Sequence, residues 1–96
     1  MFILVTYDVE TVTPEGQKRL RQVAKQCKNF GLRVQNSVFE CDVTEVQFLQ
    51  LKEQLNTIID QTEDSIRFYF LNRNQNRRVI CIGKNNKPDT EGSIVL

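Results

Sequence analysis

The first eight residues, Met-Phe-Ile-Leu-Val-Thr-Tyr-Asp, constrain this chain more than any later stretch. A β-prone run that stops on a carboxylate predicts a buried strand, with Asp8 delivered to the carboxyl edge of a sheet. In α/β folds, loops open and ligands and metals collect at that edge. A charge beside a buried strand is costly unless a cation, a donor or water meets it. An Asp that merely bonds the amides of its own turn fits the same position, and residues 1–8 leave both readings open.

Downstream, two amphipathic helices and several further strands are predicted. Thr13-Pro14 has the chemistry of a helix start, Thr as N-cap and Pro at the first helical position. Leu20, Val23, Ala24, Cys27 and Phe30 then form one apolar stripe, and Gly31 is expected to end the helix in a left-handed conformation. Leu32 to Asp42 reads as β, short for a full hairpin and long for one strand, so a kink or bulge near Asn36-Ser37 is expected to split it. Thr44 with Gln47 predicts a capping box opening a helix that turns Phe48, Leu51, Leu55, Ile58 and Ile59 inward and leaves Val46 and Leu49 off the stripe. Ser65–Leu71 and Arg78–Gly83 read as a hairpin around a polar turn at 72–76. Residues 84–92 form a polar linker, after which Ser93, Ile94, Val95 and Leu96 are apolar enough to imply docking on a sheet edge rather than fraying.

This order predicts an α+β chain. The expectation is a ferredoxin-like βαββαβ sandwich, one antiparallel sheet with two helices on one face, and an extra C-terminal strand. Residues 1–83 would be the domain, and 84–96 the linker and docking strand. At 96 residues, such a domain gains from dimerisation.

Four absences narrow the chemistry. No window approaches the roughly 18 apolar residues of a membrane span, and the N-terminus lacks the basic region and cleavage site of a signal peptide; a cytoplasmic location with no membrane partner is expected. Cys27, Cys41 and Cys81 contain no CxxC pair and read as reduced, mostly buried hydrophobes. There is no histidine. The commonest general base is therefore missing, and a hydrolase built on this chain needs a metal-bound water or a carboxylate.

The net charge of +1 conceals segregation. Residues 16–39 carry six basic groups and no acid, 40–64 carry seven acids against Lys52, and 65–87 again carry six basic groups and no acid. Lys18, Arg21, Lys25 and Lys28 fall on one helix flank, self-repelling unless a polyanion meets them. Pairing with the acidic block on a solvated surface is the alternative.

Taken in order, Leu4-Val-Thr-Tyr-Asp8, Gly31-x-Arg33-Val34-Gln35-x-Ser37-Val38-Phe39-Glu40 and Arg67-Phe-Tyr-Phe-Leu71 resemble the small CRISPR-associated protein two family, partner of the spacer integrase in CRISPR adaptation. The ending Asp89-Thr-Glu-Gly-Ser-Ile-Val-Leu resembles the branch that accompanies type I-C systems. The resemblance implies a ferredoxin-like homodimer with its sheets face to face and Asp8 of both subunits near the two-fold axis. There the two carboxylates would hold Mg²⁺ or Mn²⁺ for hydrolysis of RNA or duplex DNA. It also implies Tyr7, Arg33, Ser37 and Phe39 as site residues beside Asp8: Arg33 toward phosphate, Ser37 orienting water or phosphate, Phe39 against substrate or in the core.

A second implied role is that of a rigid spacer between integrase dimers, with DNA along the basic surface. Lys18, Arg19, Arg21, Lys25, Arg33, Arg77 and Arg78 are the phosphate contacts expected there, and the tail Ser93–Leu96 would dock on the other protomer or on the integrase. A toxin-type endoribonuclease of the same fold and a non-catalytic ferredoxin-like regulatory or scaffold dimer are the alternatives.

Overall fold

The computed structural model describes residues 1–71 and 78–84. Strand β1 (Phe2–Asp8) leads to helix α1 (Pro14–Lys28), strands β2 (Gly31–Gln35) and β3 (Val38–Asp42), helix α2 (Glu45–Ile58), and strands β4 (Ser65–Leu71) and β5 (Arg78–Gly83). The sheet is antiparallel in the order β2-β3-β1-β4-β5. The first four strands and two helices give the expected ferredoxin-like arrangement, and β5 adds an outer strand. The expected turn at 72–76, Arg77, the 85–92 part of the linker and the tail Ser93–Leu96 lie outside the described residues.

Local chemistry sets both helix starts. The Thr13 hydroxyl accepts from Gly16 N at 3.1 Å ahead of Pro14, and Thr44 and Gln47 close a reciprocal capping box. Strand alternation then divides the sheet. Ile3, Val5, Tyr7, Phe39, Cys41, Ile66, Phe68 and Phe70 face α1 and α2, where they bury against Val23, Cys27, Phe48, Leu51 and Leu55. Phe48 meets Phe68 and Phe70 edge-on, with centroids 5.3 and 5.0 Å apart. Off the stripe, Val46 and Leu49 stay exposed.

Among the described residues the opposite face carries no helix. Leu4, Thr6, Val38, Arg67, Tyr69, Leu71, Val79 and Cys81 are only half-buried there. The pairing Val38–Thr6–Arg67–Cys81 runs across it, and Asp8 lies beside Ser65.

Two sequence expectations are corrected. Residues 31–42 divide into two short strands at Asn36-Ser37 as expected, but through a two-residue hairpin turn rather than a kink or bulge; the bulge sits earlier, where the register shifts between Arg33 and Gln35. Gly31 does not end α1 in a left-handed conformation. Asn29 caps that helix and Gly31 opens β2, paired with Cys41, where an added Cβ would collide with the Glu40 carbonyl and the Cys41 sulfur. Positive φ belongs to Gly83, at 89°.

Candidate functional site

Asp8 is the last residue of β1 and, by alternation, points to the helix-free face. It is exposed, and among the described residues its carboxylate makes no hydrogen bond or ion pair. A cavity of about 320 Å³ opens there, lined by Thr6, Tyr7, Asp8, Ser65, Arg67, Cys81 and Lys84. One acid, two cations and two hydroxyls thus converge at one end of the open sheet face. Arg67 also donates to the Tyr69 hydroxyl at 3.3 Å.

The other residues expected beside Asp8 lie on the opposite face. Tyr7 and Phe39 are buried in the core, stacked with centroids 6.2 Å apart. The Arg33 guanidinium lies over the Phe39 ring at 5.2 Å, a cation–π contact on an exposed strand. The Tyr7 hydroxyl donates to the Asn36 carbonyl and the Tyr7 amide to the Ser37 carbonyl, each at 3.1 Å. Tyr7, Arg33, Ser37 and Phe39 are therefore one cluster that clasps the β2–β3 turn to the end of β1. It backs Asp8 from behind, and of its members Tyr7 alone also lines the Asp8 cavity. Strand periodicity carried this signal, because Tyr7 and Asp8 are neighbours in sequence and must diverge.

Next to Asp8 lies a second, wholly different carboxylate. Asp64, just before β4, is 0% exposed. It accepts from Glu10 N at 3.0 Å, Asp60 N at 2.9 Å, Arg19 Nε at 2.7 Å and Arg19 Nη2 at 3.4 Å. Burial alone would raise its pKa. The Arg19 hydrogen bond, the two amides and the Arg19 charge outweigh this and hold it below the usual carboxylate range. Glu10 completes the knot by accepting from Thr13 N and Oγ1 at 2.7 and 2.9 Å and pairing with Arg19 at 3.5 Å. Its pKa is lowered chiefly by the Thr13 amide and hydroxyl.

Arg19, expected on the phosphate-contacting surface, is thus turned onto Asp64 and Glu10. The other cations of α1 behave differently: Lys18, Arg21, Lys25 and Lys28 are exposed and make no ion pair among the described residues. They lie on the helix side of the sheet, away from the Asp8 cavity. Arg78 is exposed on β5, its guanidinium over Phe70 at 5.1 Å.

Burial disfavours the thiolate at all three cysteines. Burial pushes Cys27 up to about 12 and Cys41 up to about 11, and also raises Cys81. All three are free. Among the described residues, no group of three or more His, Cys, Asp or Glu is placed to hold a metal ion, and no helix is long and apolar enough to cross a membrane. Sequence reading missed Thr6, Ser65, Arg67 and Lys84 as cavity residues. Arg67 was visible in the strand Ser65–Leu71, two residues from Ser65 and so on the same face.

A ferredoxin-like sheet with a strand-end carboxylate on its open face defines a structural class shared by several proteins. Comparison narrows it: residues 1–79 match the family described as CRISPR associated protein Cas2, and the chain belongs to that family. It is 49% identical over 96 residues to the CRISPR-associated endoribonuclease Cas2 of Chlorobaculum tepidum, covering 100% of both chains. It is 47% identical over 96 residues to the CRISPR-associated endonuclease Cas2 of Halalkalibacterium halodurans, again covering 100% of both. The crystal structure of Streptococcus pyogenes Cas2 at pH 6.5 superposes with a TM-score of 0.72 and 61% identity, over 77% of this chain and 89% of that one.

Proposed function

We propose that this chain is a CRISPR adaptation protein of the cytoplasm, a homodimer that binds duplex DNA with the spacer integrase and also hydrolyses phosphodiester bonds in RNA or duplex DNA with Mg²⁺ or Mn²⁺. The observation that carries the nuclease reading is the exposed Asp8 carboxylate, unengaged among the described residues, in a cavity that also presents Arg67 and Lys84. The names of the relatives, endoribonuclease and endonuclease, support it.

Among the described residues a single chain offers one carboxylate at this site, a weak hold on a divalent cation by itself. Two Asp8 groups across a two-fold axis, with water, match the one or two carboxylates that Mg²⁺ usually takes. The helix-free face supports such a dimer, because Leu4, Val38, Tyr69, Leu71 and Val79 are left only half-buried by one chain. A bound ion lowers the pKa of coordinated water and polarises a phosphoryl oxygen, chemistry that needs no histidine. Asp8 supplies the ligand oxygen. Thr6 and Ser65 present hydroxyls to water or phosphate, and the Tyr7–Phe39–Arg33 cluster holds the strand end in place from the core side. The tail Ser93–Leu96 is assigned to a contact with the other protomer or the integrase.

The DNA-binding reading rests on the exposed cations Lys18, Arg21, Lys25 and Lys28, joined by Arg78 and Arg77. Contacts of this kind make affinity fall steeply with salt through counterion release. Charge reversal at Arg77 and Arg78 is expected to weaken duplex binding and flatten the salt slope with the dimer intact.

Cleavage assays on purified wild type and Asp8→Ala, with Mg²⁺, with Mn²⁺ and with EDTA, test the nuclease reading. Metal-dependent cleavage by wild type and none by a folded Asp8→Ala is the expected result. Equal cleavage by both proteins rejects Asp8 as the site.

A further inference from the structure

We propose that Lys84, together with Arg67, is the phosphate-binding half of the Asp8 cavity, taking one phosphodiester of the nucleic-acid backbone without reading its bases. The proposal rests on the nucleic-acid reading above and adds residues and a ligand to it. A phosphate brought beside Asp8 meets a like charge, and the two repel. Cations must offset this, and among the described residues Arg67 and Lys84 are the two that line the cavity.

The position of Lys84 is built in by the fold. Gly83 has φ of 89°, and an added Cβ there would strike the Asp64 carbonyl, so the chain can reverse at this point only on glycine. The reversed chain is then pinned, because Lys84 N donates to the Asp64 carbonyl at 2.6 Å. Asp64 is itself fixed by Arg19 and by the amides of Glu10 and Asp60. A buried, fully bonded residue therefore holds the backbone from which the Lys84 ammonium reaches the cavity. Lys84 is exposed and makes no ion pair among the described residues.

The ligand class follows from what the cavity offers. Its polar groups are Asp8, Arg67, Lys84, Thr6 and Ser65, all suited to phosphate oxygens, sugar hydroxyls or water. The one aromatic side chain at its wall, Tyr7, is buried on the far face and leaves no ring for a base to stack on. At about 320 Å³ the space is large enough for a phosphate and its flanking sugars.

The test uses the full chain carrying Asp8→Asn, in EDTA, with a fluorescein-labelled six-nucleotide RNA followed by anisotropy. Adding Lys84→Gln is expected to raise Kd about tenfold and to lower the slope of log K against log salt by about one contact. Lys84→Arg is expected to restore most of the affinity, and Lys52→Gln, which removes the same charge on α2, to leave Kd within about twofold. In the cleaving protein with Asp8 intact, Lys84→Gln is expected to raise KM more than it lowers kcat. An unchanged Kd and salt slope in Lys84→Gln overturns the proposal, as does an RNA that fails to bind the Asp8→Asn protein at low salt. The binding experiment needs no turnover, so absence of cleavage in wild type removes the nuclease reading and leaves this one to be judged by Kd.

Discussion

Asp8 and Asp64 occupy the same end of the sheet, Asp8 paired with Ser65 and Asp64 immediately before it. They are opposite in every physical respect. Asp8 is exposed on the helix-free face and its carboxylate bonds nothing among the described residues, whereas Asp64 is completely buried and receives two backbone amides and a guanidinium. A buried carboxylate must have its charge met by the protein, so all of its bonding capacity goes into structure. An exposed one keeps its oxygens for water, metal or substrate. The contrast assigns stability to one Asp and chemistry to the other, separated by a single strand pairing.

Removing Asp64 is the strongest way to break that contrast. Asp64→Ala is expected to destabilise the fold by about 3 kcal/mol, at the low end for a broken buried pair because Arg19 retains some contact with water. The loss includes the amides of Glu10 and Asp60, left without their acceptor. Urea denaturation measures it, and a loss under about 1 kcal/mol means the knot is slack. Gly83→Ala attacks the same knot from the β5 side. Positive φ and the close Asp64 carbonyl set its expected cost at roughly 1–3 kcal/mol, read as a lower urea midpoint.

What the sequence disclosed and what it hid follow the same division between local and distant causes. Thr13-Pro14 and the Thr44–Gln47 box were legible because a helix start is written within four residues. The β4–β5 pairing was legible because both runs are apolar and bounded by polar residues. The break between β2 and β3 at Asn36-Ser37 was legible, but it was read as a kink or bulge rather than a tight turn because it contains no glycine. Gly31 was read as a helix end because its true reason, the close approach of Glu40 and Cys41, arises only when β2 meets β3. Asp8 stood out by ending an apolar run. Asp64 sat in an acidic stretch among Asp60 and Glu63, and nothing local distinguished the acid that becomes buried. Arg19 was grouped with its cationic neighbours, although it falls off the Lys18–Arg21–Lys25–Lys28 spacing, and the acids that claim it are Glu10 and Asp64.

Acid sharpens the comparison more gently than mutation. The pKa of Asp64 is lower in the folded chain than its ordinary value of 3.8. A carboxylate with a depressed folded pKa contributes stability that is fully present well above the unfolded value and is lost as pH falls through the folded one. Glu10 and Asp60 are shifted in the same direction, Asp60 mainly by the Thr62 hydroxyl and amide. The stability difference between wild type and Asp64→Asn is therefore expected to hold steady from pH 7 to about 5 and to shrink below about pH 4. Parallel denaturation series across that range check it, and a difference that grows toward acid contradicts the sign.

The smallest expected change in stability belongs to Asp8, and it is the most telling one. Its carboxylate holds no partner among the described residues, so Asp8→Asn removes no bond from the folded chain and leaves no buried group unmet. The unfolding free energy should move by no more than about 0.5 kcal/mol, the range of ordinary surface changes. Neutralising the acid beside Arg67 and Lys84 relieves no strain but does remove an attraction, which water at an exposed site largely screens. Measured beside Asp64→Ala in the same urea titrations, Asp8→Asn should therefore overlay wild type even where cleavage is lost. A loss of 2 kcal/mol or more would show that Asp8, too, is a structural carboxylate, held by residues beyond those described, and the division of labour between the two acids would fall.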